Sequence, residues 1–274
     1  ATAERITPMS ALNKYFDLLN EKIERIRQTQ MENIEKAAQV IYKSLSTDGM
    51  VYTFGTGHGH LLALEIFYRA GGMGPVTPVM DERLMLHVDA AESSMWERRS
   101  GLVGELLEKY PIKAGDVLIA ASNSGRNTVP VELVLAAKEI GACTIALTNM
   151  EHTTQVTPRN PEGINLYQAV DLVLDNCGVK GDAIWTAADG NKVGPTSTSC
   201  GAAILQAIVC RVKELSLAEG RPVDFYFSSN VDGGDEHNEV LLEKYKDIPG
   251  LCGAGWKKPA GEDAAVCMTE GEQA

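Results

Sequence analysis

Apolar positions recur every three or four residues between 9 and 45. They fall first at Leu12, Phe16, Leu19, Ile23 and Ile26, then at Met31, Ile34, Ala38, Ile41 and Leu45. A stripe of this period lies along one side of a helix, so the segment is predicted to form one long amphipathic helix or two abutting ones. A helix of ~35 residues would extend ~50 Å, longer than a small domain is wide. The stripe therefore either wraps its own domain or continues onto a partner subunit.

The pattern then changes. Short apolar runs rich in β-branched residues stand at 49–54, Val76–Met80, Val117–Ala121, Cys143–Thr148 and Val170–Leu174. Each reads as a strand buried on both faces. Helical patterns alternate with them: Leu61–Arg69, one helix from Ala91 to Tyr110, Val131–Ile140, Ala202–Leu215 and a short Glu239–Tyr245. Strands alternating with helices predict an α/β fold with a doubly wound parallel sheet, its ligand loops at the carboxyl ends of the strands. Residues 1–45 form a helical extension, 46–250 the α/β domain, and 251–274, rich in Gly, Ala and Glu, a flexible tail. The polar stretch 149–168, with two prolines, reads as a long mobile loop over the site.

The most informative stretch is Val117–Ala121 followed by Ser122-Asn-Ser-Gly-Arg-Asn-Thr128 and a helix with Pro130 in its first turn. Proline is tolerated there because the first-turn N–H groups have no intrahelical partner. Three hydroxyls, Ser122, Ser124 and Thr128, surround a glycine at the positive end of a helix, an arrangement suited to phosphate. A cap alone would need one hydroxyl. A second such unit, Phe54-Gly-Thr-Gly-His-Gly-His60, lets backbone approach a ligand at Gly55, Gly57 and Gly59. Its GxGxG spacing is not the dinucleotide fingerprint, and it lacks the Gly-Lys-Ser/Thr of a P-loop. His58 and His60 lack the third ligand of a metal set, and the acids of 230–238 lack calcium-loop spacing. No metal and no cofactor are expected. A further hydroxyl cluster, Thr196-Ser197-Thr198, opens the helix that follows it.

Composition narrows the partners. The net charge of −12 over 274 residues argues against a nucleic-acid backbone as ligand. No apolar run approaches the ~20 residues of a membrane span, and no basic-then-apolar leader opens the chain. The six cysteines form no CxxC pair; with Cys143 read as a buried thiol, they suggest a reducing, cytoplasmic setting.

These motifs together resemble the SIS (sugar isomerase) domain family, in its stand-alone phosphosugar-binding branch. The carriers are Phe54–His60 with Glu65, Glu97-Arg98, Ser122–Pro130, Asp175-Asn-Cys-Gly178 with Gly181-Asp182, Gly194–Thr198 and Asn230–Asn238. The resemblance implies a three-layer, flavodoxin-like fold with a five-stranded parallel sheet. It also implies a homodimer, or a dimer of dimers, with sites near the interface. The phosphorylated sugar would be held by Ser122, Ser124 and Thr128, with Gly57, His58, Gly59, Arg98, Asn123, Asn127, Asp182, Thr196 and Ser197 completing the binding set. The implied activity is aldose–ketose isomerisation, with Glu65 or Glu97 moving a proton through an enediol and His58, His60 or His237 as acid–base partner. An amino-sugar-phosphate lyase or etherase, or a non-catalytic sensor, would use the same fold. Two positions depart from the pattern: Gly59 stands where the branch carries Ser, and Asn160 where it carries His.

Overall fold

The computed structural model describes residues 10–253. Five strands form one parallel sheet: β1 (Val51–Gly55), β2 (Val76–Val79), β3 (Val117–Ala121), β4 (Cys143–Thr148) and β5 (Leu172–Asp175), in the order β2-β1-β3-β4-β5. Register is set along β1, where Val51 lies opposite both Val76 and Val117. Every residue of β1 and β3 is buried, because helices cover both faces.

The strand period of two sorts side chains between two cores. Val117 and Ile119 of β3 face one core with Ile145 of β4, while Leu118 and Ala120 face the other with Ala146. The first core is closed by α2 (Met31–Leu45) and α9 (Ser197–Ala218), through Ala38, Ile41, Ile204 and Ile208. The second is closed by α5 (Val103–Lys109) and α6 (Thr128–Ile140), through Leu106, Leu133 and Val134. Glu35 of α2 accepts both Nε and Nη2 of Arg211 on α9, at 2.7 and 3.0 Å.

The amino-terminal stripe forms two abutting helices. α1 (Ser10–Thr29) meets α2 at Gln30, which is 8% exposed and whose Oε1 accepts the N–H of Asp175. Of the α1 stripe only Ile26 is buried, and Leu12 and Phe16 are about 60% exposed. α3 (Gly59–Leu64) follows β1 directly and stops well short of Arg69.

Other expectations need correction as well. The helix expected over 91–110 is broken into α4 (Ala90–Trp96) and α5, with Gly101 at φ +96° in the break. The stretch 149–168 is not a free loop: it carries α7 (Met150–Thr153) and α8 (Leu166–Ala169). It is pinned by Asn165, whose Nδ2 donates to Thr153 O and Val156 O, and by Asn160, whose Nδ2 donates to Arg126 O and Ile164 O. Cys143 is half-buried rather than buried, being the first residue of β4.

Two elements lie beyond what the pattern anticipated. An antiparallel hairpin, β6 (Ala183–Thr186) and β7 (Lys192–Pro195), turns at Asp189-Gly190, with Gly190 at φ +86°. Asp-Gly between short strands is a hairpin signal that was open to reading. The last helix, α10 (Gly234–Tyr245), starts five residues earlier than expected. From residue 254 the expected tail lies outside the described residues. Among the described residues no helix is long and apolar enough to cross a membrane.

The α2–α9 seam predicts a large cost for a cavity there. Ile41→Ala, at a position with 0% exposure, should lower the unfolding free energy by about 2–5 kcal/mol, as measured by urea denaturation.

Candidate functional site

In a sheet of order 2-1-3-4-5 the connections leave β1 and β3 towards opposite faces, and a crevice opens between their carboxyl ends. A cavity of about 280 Å³ lies there, bordered by the loop after β1 (Thr56–Gly59) and the loop after β3 (Ser122–Asn127). A larger cavity, about 610 Å³, opens at the opposite, amino-terminal edge beside Tyr52, Asp116 and Tyr245. The strand-end rule favours the smaller one, where the polar motifs converge.

Glu97 is the charged centre of the crevice. The break after α4 turns its side chain under the β1 loop. Thr56 Oγ1 donates to Oε2 and Asn127 Nδ2 to Oε1, both at 2.6 Å. Burial raises its pKa above the ordinary carboxylate range, against the opposing pull of the Thr56 hydrogen bond and of Arg98 and Arg159. Asn127 Oδ1 is buried without a partner.

The hydroxyl loop is more divided than its sequence suggests. Ser122 Oγ accepts the N–H of Gly125, at φ +59°, and so shapes the turn. Asn123 Oδ1 accepts from Asn176 Nδ2 at 2.9 Å. Thr128 is 1% exposed, and its hydroxyl is engaged by Arg98 O at 2.9 Å and Arg159 O at 3.0 Å. It fastens loops together and does not border the cavity. Ser124 does border it and spends its hydroxyl on no described neighbour.

The second hydroxyl cluster is answered from within the chain. Asp182, at φ +70°, accepts the N–H groups of Thr196 and Ser197 at 3.1 and 2.9 Å and the Ser197 hydroxyl at 2.5 Å. A carboxylate thus already sits at the positive end of α9. Asp182 and Ser197 border the cavity, while Thr196 is fully buried.

The candidate acids, bases and histidines separate spatially. Gly57, His58 and Gly59 border the cavity. His60 turns away, its Nδ1 against Gly57 O and its ring 6.1 Å from that of His87. Glu65 lies past the end of α3, paired with Arg69 and accepting from Gln206 Nε2 at 2.9 Å. His237 stacks on Phe227 with centroids 3.8 Å apart and sets Nε2 2.9 Å from Phe225 O. Neither Glu65 nor His237 borders the cavity of its own chain. Arg98 meets the site through its backbone carbonyl, and its side chain is exposed.

Four polar residues outside the predicted catalytic and binding set also border it: Thr56, His152, Asn176 and Thr198. Thr56 holds Glu97, and its place in the glycine-rich loop was a usable signal. His152 stands on α7, capped by Asn149 Oδ1, with its Nδ1 buried and unpartnered. Burial foremost, then Lys180 and Arg126, lower its pKa, while Asp182 opposes them. Nothing local to 149–168 marked it.

A doubly wound sheet with a polar crevice at the β1–β3 switch point defines a class of small-ligand-binding α/β proteins, and the comparisons refine it. Residues 14–149 match the model of the SIS domain. A UPF0309 protein of Geobacillus thermodenitrificans is 41% identical over 242 residues, covering 88% of this chain and 97% of the relative. One of Listeria innocua is 36% identical over 243 residues, covering 88% and 98%. The chain belongs to the SIS-domain family, among these UPF0309 proteins.

Solved structures share the fold at low identity. A phosphoheptose isomerase from Francisella tularensis superposes with a TM-score of 0.52 at 14% identity, over 76% of this chain and 100% of that one. Another from Neisseria gonorrhoeae gives 0.50 at 17%, again over 76% and 100%.

Gly59 leaves no room for a side chain. A Cβ built there would stand 2.7 Å from Ala121 O, so α3 lies against β3 too closely for a serine. Gly59→Ser should destabilise the fold by about 1–3 kcal/mol, the range for overpacking a closed contact. Urea denaturation beside the wild type measures it.

Proposed function

We propose that this protein is a sugar-phosphate isomerase in which Glu97 moves a proton between adjacent sugar carbons through an enediol. The observation that carries this reading is the half-buried Glu97 carboxylate, held by Thr56 and Asn127 in the same cavity as the free Ser124 hydroxyl. Interconversion of an aldose and a ketose needs a base of raised pKa beside C1 and C2, and a group to exchange protons with the oxygens. Glu97 supports the first role. His58, which alone among His58, His60 and His237 borders the cavity, is assigned the second. The Ser122–Asn127 loop and the first turn of α6 would hold the phosphate, whose binding energy orients the sugar. Leu62, Ala121 and Leu147 supply the apolar part of the cavity lining.

Glu97→Gln is the direct test. Asn127 can turn its unused Oδ1 towards the new amide, so the substitution should leave the fold intact. Proton NMR of aldose and ketose phosphates incubated with the protein should show interconversion. The substitution should reduce kcat by about 10²–10⁴ while the dissociation constant changes little. Elimination products in place of an isomer would assign a lyase. Equal affinity with no turnover in either protein would assign a sensor.

The pH dependence follows from the same group. The base acts when ionised, and burial raises its pKa, so kcat/KM should climb with pH through a value above the ordinary carboxylate range. In the Glu97→Gln variant that limb should be absent.

The reading also takes the chain as a homodimer, with the exposed stripe Leu12 and Phe16 of α1 as contact. Sedimentation velocity should show a dimer for the wild type and a shift to monomer for Phe16→Asp.

A further inference from the structure

Three arginines are gathered beside the cavity by their backbones. Thr128 Oγ1 lies 2.9 Å from Arg98 O and 3.0 Å from Arg159 O, and the N–H of Arg159 donates to Arg126 O at 2.7 Å. Asn127 and Arg159 also form a parallel bridge. A buried hydroxyl and a short piece of strand pairing therefore hold residues 98, 126 and 159 side by side. They come from three separate segments: the break after α4, the β3 loop and the α7–α8 connection.

The charges are close enough to act on one another. Burial foremost, then the charges of Arg159 and Arg98, lower the pKa of Arg126. They also reach the cavity: Arg98 and Arg159 act on Glu97, and Arg126 acts on His152, both of which border it. Among the described residues none of the three forms an ion pair with a carboxylate. Arg126 spends only Nε, on Thr157 O at 2.8 Å. In a chain of net charge −12, three arginines on neighbouring backbone segments without a carboxylate partner are an unusual concentration of positive charge. Guanidinium forks match carboxylate and phosphate oxygens in geometry as well as charge. No lysine or arginine borders the cavity itself among the described residues, so the arginines stand outside its lining.

We infer that Arg98, Arg126 and Arg159 form a second anion site at the rim of the cavity, and that the ligand carries two acidic groups. This rests on the phosphosugar reading above: one phosphate lies at the Ser124 loop, and a carboxylate or second phosphate engages the arginines. The substrate class is thereby narrowed from sugar monophosphates to sugar phosphates bearing a further acid.

Isothermal titration calorimetry with three probes tests it: glucose 6-phosphate, 6-phosphogluconate and fructose 1,6-bisphosphate. Wild-type protein should bind at least one of the two-acid probes about tenfold or more tighter than glucose 6-phosphate, the gain expected of a charge-assisted contact. The carboxylate and bisphosphate arms tell which second group fits. In Arg159→Gln, an exposed position whose change spares the fold, that preference should fall to near unity while glucose 6-phosphate binds as before. Arg126→Gln should lower the preference as well. The inference is overturned if wild type binds all three alike, if the preference survives both substitutions, or if Arg159→Gln weakens all three equally. Binding of glucose 6-phosphate without any preference overturns the rim site alone. Failure of every phosphorylated probe to bind overturns the phosphosugar reading with it.

Discussion

The site depends on how Glu97 is held. Its carboxylate joins the loop after β1, through Thr56, to the loop after β3, through Asn127. Its backbone carbonyl accepts the N–H of Val129 in the first turn of α6. Hydrogen bonds to a charged group contribute about 1.5–3 kcal/mol each, enough to offset part of the cost of sequestering a carboxylate. The balance keeps the group poised: burial pushes its pKa up, and Thr56 with the nearby arginines restrains the rise. One side chain thus couples the two halves of the switch point and carries the unstable charge within it.

The positive ends of helices are distributed with similar economy. At α9 the chain supplies its own anion, Asp182, in a left-handed conformation that aspartate tolerates because its short side chain can hydrogen-bond locally. At α6 the backbone at 97–98 satisfies Val129 N–H and Thr128 Oγ1. Ser124 is the remaining polar group at that turn with its hydroxyl uncommitted, and the proposed phosphate position follows from this elimination.

Much of the fold was legible because its signals are local. Apolar runs such as Val117–Ala121 must be buried on both faces, and Gly-rich or Ser-rich turns after them mark the carboxyl ends where ligands bind. The break between α4 and α5 was not legible, since Glu97-Arg98-Arg99 continues a helical pattern and only Gly101 hints at an interruption. Side-chain destinations were less readable still. Thr128 looks like a ligand hydroxyl from its spacing, yet its neighbours Arg98 and Arg159 are each about 30 residues away. Glu65 and Glu97 are indistinguishable as isolated glutamates, and the partners that separate them, Gln206 and Thr56, are 141 and 41 residues distant. His152 escaped for the same reason. A polar stretch with two prolines gives no sign that side-chain amides at Asn160 and Asn165 will fasten it over the crevice.

The most direct measurement of the central claim is a crystal structure of the protein with glucose 6-phosphate bound. The phosphate should lie within hydrogen-bonding distance of Ser124 Oγ at the start of α6, with C1 and C2 of the sugar facing the Glu97 carboxylate. A phosphate seated elsewhere, above all in the larger cavity beside Tyr52 and Tyr245, would contradict it.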